Sequence, residues 1–457
     1  MNKQGKANNP TPGRRIALET LVRVELDQAY ANRVLHALFL REQPRAEVRA
    51  EATELVSGTL RHLTRYDYLL AQLLRQPLRK LPPQIRNILR MALFEIESGN
   101  CPAYAAVDQG VKLAKASGQA GLAKLVNGVL RTYARQGQKL SLPDFAREPK
   151  KHLIIAHSHP EWLIESWLER WSVDLVHRLV RSNNLPAPLS LRVNTLRTTR
   201  SDLISELMGL GFVVEESPLL PEAVRILRGS SLEQLPPLLE GRCLVQDEGA
   251  MLITKLLDPR PGDEVIDLCA APGGKTTHMA QLMENRGCIW AVDQYEHKTR
   301  LIAETATRLG MNIIRIQTGD ARMWTAPQPV DRLLLDAPCT GSGVIRRRPD
   351  LRCRRRPEDL AELFKLQQQL LAAAAKMVKP GGVLVYSTCS LQAEENERQV
   401  QAFLEEHPEF RPCQPPEEFK ALLPGYPLYE YAEGGGITLF PSEYNDGFFM
   451  ARLQRKA

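Results

Sequence analysis

The sequence lacks any long hydrophobic run. None of its apolar stretches approaches the roughly 18 residues that a membrane-spanning helix needs. The N-terminal stretch MNKQGKANNPTPGRR is polar, and no hydrophobic segment of the signal-peptide type follows it. We therefore expect a cytoplasmic protein that has no membrane partner.

The sequence also lacks the cysteine spacings that hold zinc or form disulfide frameworks. Its eight cysteines include no CxxC pair, and no cluster of His and Cys occurs along the chain. We therefore expect no bound metal, and most thiols should be reduced and buried. Five of them receive no chemical role, namely Cys101, Cys243, Cys288, Cys353 and Cys413.

The positive charge is concentrated in the front part of the chain, and the net charge is +7 over 457 residues. Residues 1–140 carry 22 Lys and Arg against 11 Asp and Glu, whereas the rest carries 38 against 42. A basic front part favours a polyanionic partner, and a solvated helical surface is the ordinary alternative.

The front part shows no β-type alternation, and its apolar residues recur at helical spacing, as in RRIALETLVRVEL and PQIRNILRMALFEIE. Farther on, the strand-like segments LSLRVNT and FVVEES flank the helical segment SDLISELMGLG. We predict a multidomain chain with these parts: a disordered tail over 1–13, an all-α domain over 14–138, a linker and helix over 139–184, a small α+β module over 185–238, and a larger α/β domain over 239–457.

The larger domain alternates short strands with helices. EVIDLC, CIWAVD, IIRIQTGD, RLLLDAP and VLVYSTC are rich in Val, Ile and Leu, and most are separated by helical segments such as PEDLAELFKLQQQLLAAAAKM. This alternation predicts a mostly parallel, doubly wound, Rossmann-like sheet. The segment DGFFMARL should add a final antiparallel strand at or near one edge.

One polar or reactive residue stands at the end of each of these five predicted strands. Asp favours turns and helix N-caps, which is the ordinary explanation for any single one of them. The regular placement over all five strands favours a site instead, because ligands bind beyond the carboxyl ends of such strands. The five residues are Asp267, Asp293, Asp320, Asp336 and Cys389.

The first of these turns, DLCAAPGGKT, has two glycines before a predicted helix, which favours an anionic ligand. It nearly matches the phosphate-binding GxxxxGK[ST] pattern, but Cys269 stands where the first glycine is required. With RLLLD as a possible magnesium-binding strand, a nucleotide hydrolase is a rival interpretation. Asp293 lies 26 residues after Asp267, near where related folds bind a ribose. S-adenosylmethionine offers both a ribose and a carboxylate.

Two apolar runs, LLLDAPCTGSG and LVYSTCS, each end in a turn that holds one cysteine. A thiolate that adds to carbon 6 of cytosine makes carbon 5 able to accept a methyl group. The reaction also needs an acid at ring nitrogen 3 and a base that removes the proton from carbon 5. Asp336, Cys339 and Cys389 supply one acid and two thiols, although a single cysteine is more often an inert core residue.

The segment GVIRRRPDLRCRRR holds seven arginines between residues 346 and 356. A solvated charged loop is the ordinary interpretation, but this density beside a proposed base pocket favours contacts with nucleic-acid phosphates. The predicted RNA-binding residues are Arg346, Arg347, Arg348, Arg354, Arg355 and Arg356.

Together the segments DLCAAPGGKTTH, AVDQ, TGDAR, LLLDAPCTGSGVIRRRPD and YSTCSL…EEN resemble the motif set of the Sun/Nop2 RNA 5-methylcytosine methyltransferases. The front domain resembles a NusB-like domain at ATELVSGTLRHLTRYDYLL and AAVDQGVKLAK…KLVNGVLR. Such a front domain points to the bacterial members that act on small-subunit rRNA. The segment VQDEGAM differs from the QDASAQ common in the group and leaves the start of the local helix open.

This resemblance implies roles for individual residues. Asp293 would bind the ribose of S-adenosylmethionine, Asp320 would lie near the adenine, and Asp336 would contact both cofactor and target base. Cys389 would be the nucleophile, and Cys339 would assist release of the product. The methionine end of the cofactor would be held by Cys269, Ala270, Ala271, Pro272, Gly273, Gly274 and Lys275.

The expected activity is therefore methylation of carbon 5 of a cytosine in 16S rRNA, either naked or in an early small-subunit particle, by a monomeric enzyme. The alternatives are a tRNA 5-methylcytosine methyltransferase, a P-loop-like nucleotide hydrolase and a non-catalytic ribosome assembly factor.

Overall fold

The computed structural model describes residues 9–99, 101–229, 232–426, 429–432 and 435–457. Most of the predicted disordered tail, residues 1–8, lies outside these described residues. The chain divides into two compact units. The helical unit contains the residues up to Asn184 together with the inserted segment Ile345–Arg355, and the sheet unit contains Leu185–Val344 and Arg356–Ala457.

The helical unit is all-α, as predicted for the front domain. Its first helix begins at Pro12, where Thr11 Oγ1 accepts a hydrogen bond from the backbone N–H of Arg14. Buried aliphatic side chains such as Ile16 and Leu89 form one continuous core. The helices are α1 (Pro12–Asp27), α2 (Ala31–Glu42), α3 (Ala46–Arg61), α4 (Leu63–Ala71), α5 (Pro83–Ser98), α6 (Ala103–Ala116), α7 (Ala123–Gln136), α8 (Pro149–Ile155), α9 (Glu161–Arg170) and α10 (Val173–Ser182).

The last three of these helices cover the stretch that we assigned to a linker and one helix. They bury apolar residues such as Leu153, Trp167 and Val176. Among all described residues, no helix combines the length and the apolarity that crossing a bilayer requires.

The sheet unit begins with a small antiparallel sheet in the order β2-β3-β1-β4. Strand β4 pairs with β1, with Leu191 opposite Val245, so this sheet extends past residue 238, where we had ended the small module. Its elements are β1 (Leu189–Val193), α11 (Arg200–Gly209), β2 (Val213–Glu216), β3 (Ala223–Arg228), α12 (Pro236–Leu239) and β4 (Cys243–Val245).

Helix α13 (Glu248–Leu257) then leads into a large sheet. Its N-cap is Asp247, whose side chain accepts a hydrogen bond from the backbone N–H of Gly249, which settles the helix start within VQDEGAM. The following elements are β5 (Glu264–Leu268), α14 (Gly274–Leu282), β6 (Cys288–Asp293), α15 (Glu296–Leu309), β7 (Ile314–Thr318), β8 (Val330–Asp336), α16 (Leu351–Arg354, in the inserted segment), α17 (Pro357–Met377), β9 (Val378–Thr388), α18 (Glu397–Glu406), β10 (Phe410–Pro412), α19 (Glu417–Leu422), β11 (Tyr429–Ala432), β12 (Gly436–Leu439) and β13 (Phe448–Arg455).

Within the described residues the large sheet has nine strands, and its order is β11-β12-β13-β9-β8-β5-β6-β7, with β10 paired to β13. Strands β5 to β9 are parallel, which confirms the predicted doubly wound core. Strand β13 is antiparallel to β9 and is third from one edge of the sheet, which agrees with the prediction of an antiparallel strand at or near an edge. The hairpin of β11 and β12 lies beyond it, because β12 pairs with β13.

The inserted segment leaves the sheet unit after Val344 and packs within the helical unit. Its anchor is Arg352, whose side chain is 8% exposed. The guanidinium donates hydrogen bonds to the backbone carbonyls of Arg61, His157 and Asn183, at 2.6, 3.0 and 3.0 Å. Hydrogen bonds to main-chain carbonyls therefore take the place of the hydrogen bonds that this charged side chain would make to water.

Candidate active site

The predicted strand-end residues lie at one edge of the large sheet. Asp293 and Asp336 are the last residues of β6 and β8, and Cys389 directly follows β9. Asp267 lies near the end of β5, and Asp320 lies two residues after β7. Because these strands are parallel, their carboxyl ends share an edge, and strand order reverses between β6 and β8 around β5. The turn after β5 therefore occupies the position where such sheets bind ligands.

The turn after β5 requires glycine at residue 273. Gly273 has φ of 99°, in the left-handed region, and a Cβ there would lie 3.2 Å from the Cα of Ile302. Helix α14 begins at the next residue. In the same turn, burial raises the pKa of the Cys269 thiol far above its usual value, so this sulfur stays protonated.

Asp267 lies beneath the turn and is 1% exposed. It accepts a 2.6 Å hydrogen bond from the hydroxyl of Thr276. Burial raises the pKa of Asp267 to about 7, and the Thr276 hydrogen bond only partly opposes this shift.

Asp336 joins the ends of β8 and β9 to α14. Its Oδ2 lies 2.6 Å from the Nζ of Lys275, and its Oδ1 accepts a 2.8 Å hydrogen bond from the hydroxyl of Ser387. Burial would lower the pKa of Lys275, but the Asp336 carboxylate more than offsets this effect, so the pKa is raised. The lysine therefore remains an ammonium ion that is neutralised by a strand-end carboxylate.

The two cysteines predicted to carry the chemistry face each other. Their sulfur atoms lie 3.2 Å apart, although Cys339 and Cys389 are 50 residues apart in sequence. The hydrogen bond with Cys389, together with burial, raises the pKa of Cys339 well above its usual value. Cys339 therefore holds its proton and shares it with the neighbouring sulfur.

A buried carboxylate that received no role from the sequence joins the two cysteine turns. Glu395 accepts a 2.8 Å hydrogen bond from the backbone N–H of Thr340, and hydrogen bonds from the hydroxyls of Thr340 and Ser390. Burial raises the pKa of Glu395, and these hydrogen bonds reduce the shift. Thr340 follows Cys339 and Ser390 follows Cys389, so Glu395 sets the spacing of the two sulfurs. The EEN segment was the available signal, but its role depends on tertiary contacts.

Close backbone contacts also hold the two cysteine turns together. The N–H of Gly343 donates to the carbonyl of Cys389 at 2.9 Å, and the N–H of Gly447 donates to the carbonyl of Gly343 at 2.8 Å. A Cβ on Gly343 would lie 2.3 Å from the Gly447 carbonyl oxygen and 3.0 Å from that of Cys389. Only glycine fits this position.

The remaining two strand-end carboxylates are partly engaged by the protein itself. Asp293 is 5% exposed and accepts hydrogen bonds from the backbone N–H groups of Ala271 and Tyr295 at 3.2 and 3.3 Å. Asp320 is paired with the Arg322 side chain at 3.0 and 3.1 Å, and these hydrogen bonds lower its pKa.

Family models cover most of the chain. One described as 16S rRNA methyltransferase RsmB/F matches residues 254–454, one for the NusB family matches residues 11–135, and one for an RsmF/B-like ferredoxin-like domain matches residues 159–233. A probable ribosomal RNA small subunit methyltransferase B of Bacillus subtilis is 36% identical, over 98% of this chain and 99% of its own length. The chain belongs to the 16S rRNA methyltransferase RsmB/F family. As a member of that family, it is a methyltransferase that acts on rRNA.

Other members of the RsmB/F family match nearly as fully. A probable ribosomal RNA small subunit methyltransferase B of Synechocystis is 39% identical, over 88% of this chain and 90% of its own length. The crystal structure of the protein PH0851 superposes with a TM-score of 0.78 at 28% identity, covering 97% of this chain and 99% of that one. These matches confirm the predicted fold and the resemblance stated above.

In this RsmB/F-family chain, the arginines of the inserted segment are not equivalent. Arg346 is 1% exposed, and the Arg354 guanidinium carbon lies 3.3 Å from the centroid of the Tyr30 ring. Because Arg346 is buried and Arg354 lies against Tyr30, we propose no phosphate contact for these two side chains. Among the other predicted members, Arg347, Arg348 and Arg356 are exposed, and Arg355 is partly buried.

The five cysteines without an assigned role are less buried than expected. Cys243 alone among them is buried, and Cys353 is exposed. No disulfide joins any of the eight cysteines, all of which lie in described residues.

Arg192 is a further residue that sequence reasoning missed. It lies on β1 and is 1% exposed, and it reaches the turn after β5 from the ferredoxin-like sheet. Its guanidinium donates to the carbonyl of Gly274 at 2.7 Å, to the hydroxyl of Thr277 at 2.9 Å, and to the side-chain oxygen of Gln246. The LRVN segment shows a strand but not which sheet its arginine would contact.

Proposed function

We propose that this enzyme transfers a methyl group from S-adenosylmethionine to carbon 5 of a cytosine in 16S rRNA, in the cytoplasm, through a transient bond between Cys389 and the base. The observation that carries the proposal is the 3.2 Å separation of the Cys339 and Cys389 sulfurs at the strand ends, in turns that flank Asp336. Membership of the family supports rRNA over tRNA as substrate and gives no support to a nucleotide hydrolase.

The residues around the first turn fit S-adenosylmethionine. Asp267 Oδ1 is buried and has no hydrogen-bond partner among the described residues, and the N-terminus of α14 begins directly after Gly273. A helix N-terminus favours a carboxylate, and the acceptor Asp293 stands where related folds bind a ribose. The turn from Cys269 to Lys275 and the carboxylates of Asp293, Asp320 and Asp336 would hold the cofactor. When bound, it supplies a methyl group on a positively charged sulfur.

The residues of the chain divide the remaining work. The Cys389 thiolate adds to carbon 6 of the cytosine, and the ring electrons move toward carbon 5 and nitrogen 3. Asp336, paired with the Lys275 ammonium, stands beside this site and can pass a proton from that ammonium to nitrogen 3, which offsets the negative charge that develops on the ring.

Cys339 then acts after methylation. Once Cys389 is bonded to the base, its sulfur is no longer a thiolate and no longer raises the pKa of Cys339. Cys339 can then give its proton to water and, as a thiolate, accept the proton on carbon 5. Breaking the carbon–sulfur bond restores the aromatic ring and the Cys389 thiolate.

The direct test uses purified protein, small-subunit rRNA and labelled S-adenosylmethionine. We expect Cys389→Ala to abolish methyl transfer and retain cofactor binding, and Cys339→Ala to accumulate a denaturant-resistant protein–RNA adduct. Cys288→Ala is the matched control, because this cysteine is the first residue of β6 and lies at the amino ends of the parallel strands, away from the site. Substantial methylation by Cys389→Ala would refute the covalent mechanism.

The base and the RNA are tested separately. Mass mapping of rRNA from cells with and without the gene should show one 5-methylcytosine in 16S rRNA that depends on the gene. Loss of a methyl group from another atom, or from tRNA, would contradict the proposed substrate. We further propose that Arg347, Arg348, Arg355 and Arg356 contact the phosphates of the bound RNA.

A further inference from the structure

Three histidines of the helical unit come together although they are spread along the sequence. His152 lies in α8, His157 follows that helix, and His177 lies in α10. Each offers one ligand atom, and the three atoms all lie within 4.8 Å of one another. The proposed methyl transfer assigns no role to them.

The three rings have the arrangement of imidazoles that share one ion. Their centroids are 5.2 Å apart for His152 and His157, 5.2 Å for His157 and His177, and 5.8 Å for His152 and His177. Imidazoles bound tetrahedrally to zinc, with bonds of about 2.1 Å, have centroids roughly 5 Å apart. The ring planes meet at 63° to 87°, so the rings do not stack on one another.

Neighbouring groups fix the positions of two of these rings. His152 Nδ1 lies 2.7 Å from the carbonyl oxygen of Pro143, so Nδ1 donates its hydrogen there and Nε2 keeps a lone pair for a metal. The main chain at His157 is held at its carbonyl, which accepts hydrogen bonds from Arg352 at 3.0 Å and from Asn184 at 3.2 Å. The 3.4 Å contact between Asn184 Nδ2 and His157 Nδ1 is long for a hydrogen bond and leaves that ring weakly engaged.

An aromatic ring also packs against the cluster. The ring of Phe145 stacks on His177 with 4.2 Å between centroids and shields one side of the cluster.

We propose that His152, His157 and His177 bind one divalent transition-metal ion, and that Zn²⁺ is the best match. Imidazole nitrogens suit zinc, whereas Mg²⁺ and Ca²⁺ require oxygen ligands. Among the described residues no Cys, Asp or Glu joins the cluster, so a water molecule completes four-coordination. The nearby charges of Arg181 and Arg352 oppose a cation, and the histidine ligands must outweigh them.

The bound ion joins α8 to α10 and to the turn that accepts hydrogen bonds from Arg352. It therefore stabilises the anchor of the inserted segment, and its expected role is structural.

The test uses the full-length, untagged protein after chelation and buffer exchange, and titration with Zn²⁺ in a calorimeter. We expect a single equivalent to bind and to raise the melting temperature. Loss of one of three ligands in His152→Gln or His177→Gln should weaken binding at least about tenfold. His36→Gln is the control, because His36 is an exposed histidine in α2 of the same unit. Circular dichroism checks that each variant is folded.

A second measurement needs no variant. Zn²⁺ should protect His152, His157 and His177, but not His36, from diethylpyrocarbonate in the wild-type protein, as read by mass spectrometry. The proposal is wrong if the wild-type protein does not bind Zn²⁺. It is also wrong if the two glutamine variants bind Zn²⁺ as tightly as the wild-type protein, because the ion would then be held elsewhere, for example by cysteines. Neither result depends on methyl transfer, so the failure of this proposal is distinct from failure of the proposed function.

Discussion

At the scale of single residues, the site works through groups whose ionisation the fold has shifted. Cys339 holds its proton because of Cys389, and Lys275 stays charged because of Asp336. Each residue therefore depends on a partner that comes from another strand end. Such dependence is typical of catalytic sites, where proton positions must be set before the substrate arrives.

Asp267 gives a pH-dependent prediction. Its pKa is raised by burial from 3.8 to about 7, so between these values the unfolded chain ionises it and the folded chain does not. Stability relative to Asp267→Asn should therefore fall as pH rises through this window, by at most about 4 kcal/mol. Urea denaturation of both proteins at pH values across the window measures the difference. Parallel stability curves would show that Asp267 is not buried as a neutral acid.

At the scale of elements, the sequence identified the parallel strands and the antiparallel strands β1, β2 and β13, but not the antiparallel strands β3, β4, β10, β11 and β12. Strands β5 to β9 are continuous runs of Val, Ile and Leu that stop at Asp or Cys, which is a strong local signal. Strands β11 and β12 come from YEYAEGGGITLF, where the glycines interrupt the alternation of apolar and polar residues. These strands form because β12 pairs with β13 and β11 pairs with β12. Strand β4 is only Cys243–Val245 and exists because β1 lies beside it.

The candidate site shows the same division. Asp336, Cys339 and Cys389 stand out because each lies at or just after the end of a strand, and a strand end can be predicted from the local sequence. Glu395 and Arg192 were missed because their partners lie 55 and 82 residues away in sequence, at Thr340 and Gly274. No periodicity or spacing reports contacts of that kind.

The turn that holds Cys339 gives a prediction about glycine. In Gly343→Ala the new Cβ would clash with the carbonyl oxygens of Gly447 and Cys389, and the two cysteine turns must move apart. A displacement of about 1 Å can cost up to roughly 100-fold in rate, so we expect a fall in kcat of that order. Gly209→Ala is the control, because a Cβ there meets nothing within 4 Å. Unchanged kcat in Gly343→Ala would show that the sulfur spacing tolerates movement.

Arg192 gives a prediction about the ferredoxin-like sheet. Lysine in its place keeps the charge but loses the fork that reaches the Gly274 carbonyl and Thr277 together. We expect Arg192→Lys to raise the KM for S-adenosylmethionine roughly tenfold, with little change in kcat at saturation. Arg197→Lys is the control, since Arg197 also reaches beyond the small sheet, to the Arg308 carbonyl in α15. Equal effects of the two substitutions would remove any special role for Arg192 in positioning the turn.

At the scale of the whole molecule, the units do not follow one another along the chain. Ile345–Arg355 belongs to the helical unit although the sheet unit precedes and follows it. Sequence analysis assigned this segment to RNA contacts because it is rich in arginine. Tertiary packing uses Arg352 and Arg354 as internal anchors instead, and composition alone does not distinguish these uses.

Removal of residues 1–184 tests this arrangement. Ile345 and Leu351 are 2% and 5% exposed, and Arg352 depends on carbonyls of the deleted part. We expect the remaining protein to aggregate or melt at a lower temperature than the full chain. Replacing residues 345–355 with a Gly/Ser linker of the same length should restore solubility to the truncated protein. If the plain truncation is as soluble and stable as the linker variant, the segment does not need the helical unit.

This interleaving also limits how the family can recombine. Consider a chimera that takes its front domain from one relative and its sheet unit from another. Arg352 would then face backbone carbonyls from a different protein. A chimera in which residues 1–184 are exchanged should fold only when residues 345–355 are exchanged as well. The two distant stretches of the gene are therefore expected to be inherited together.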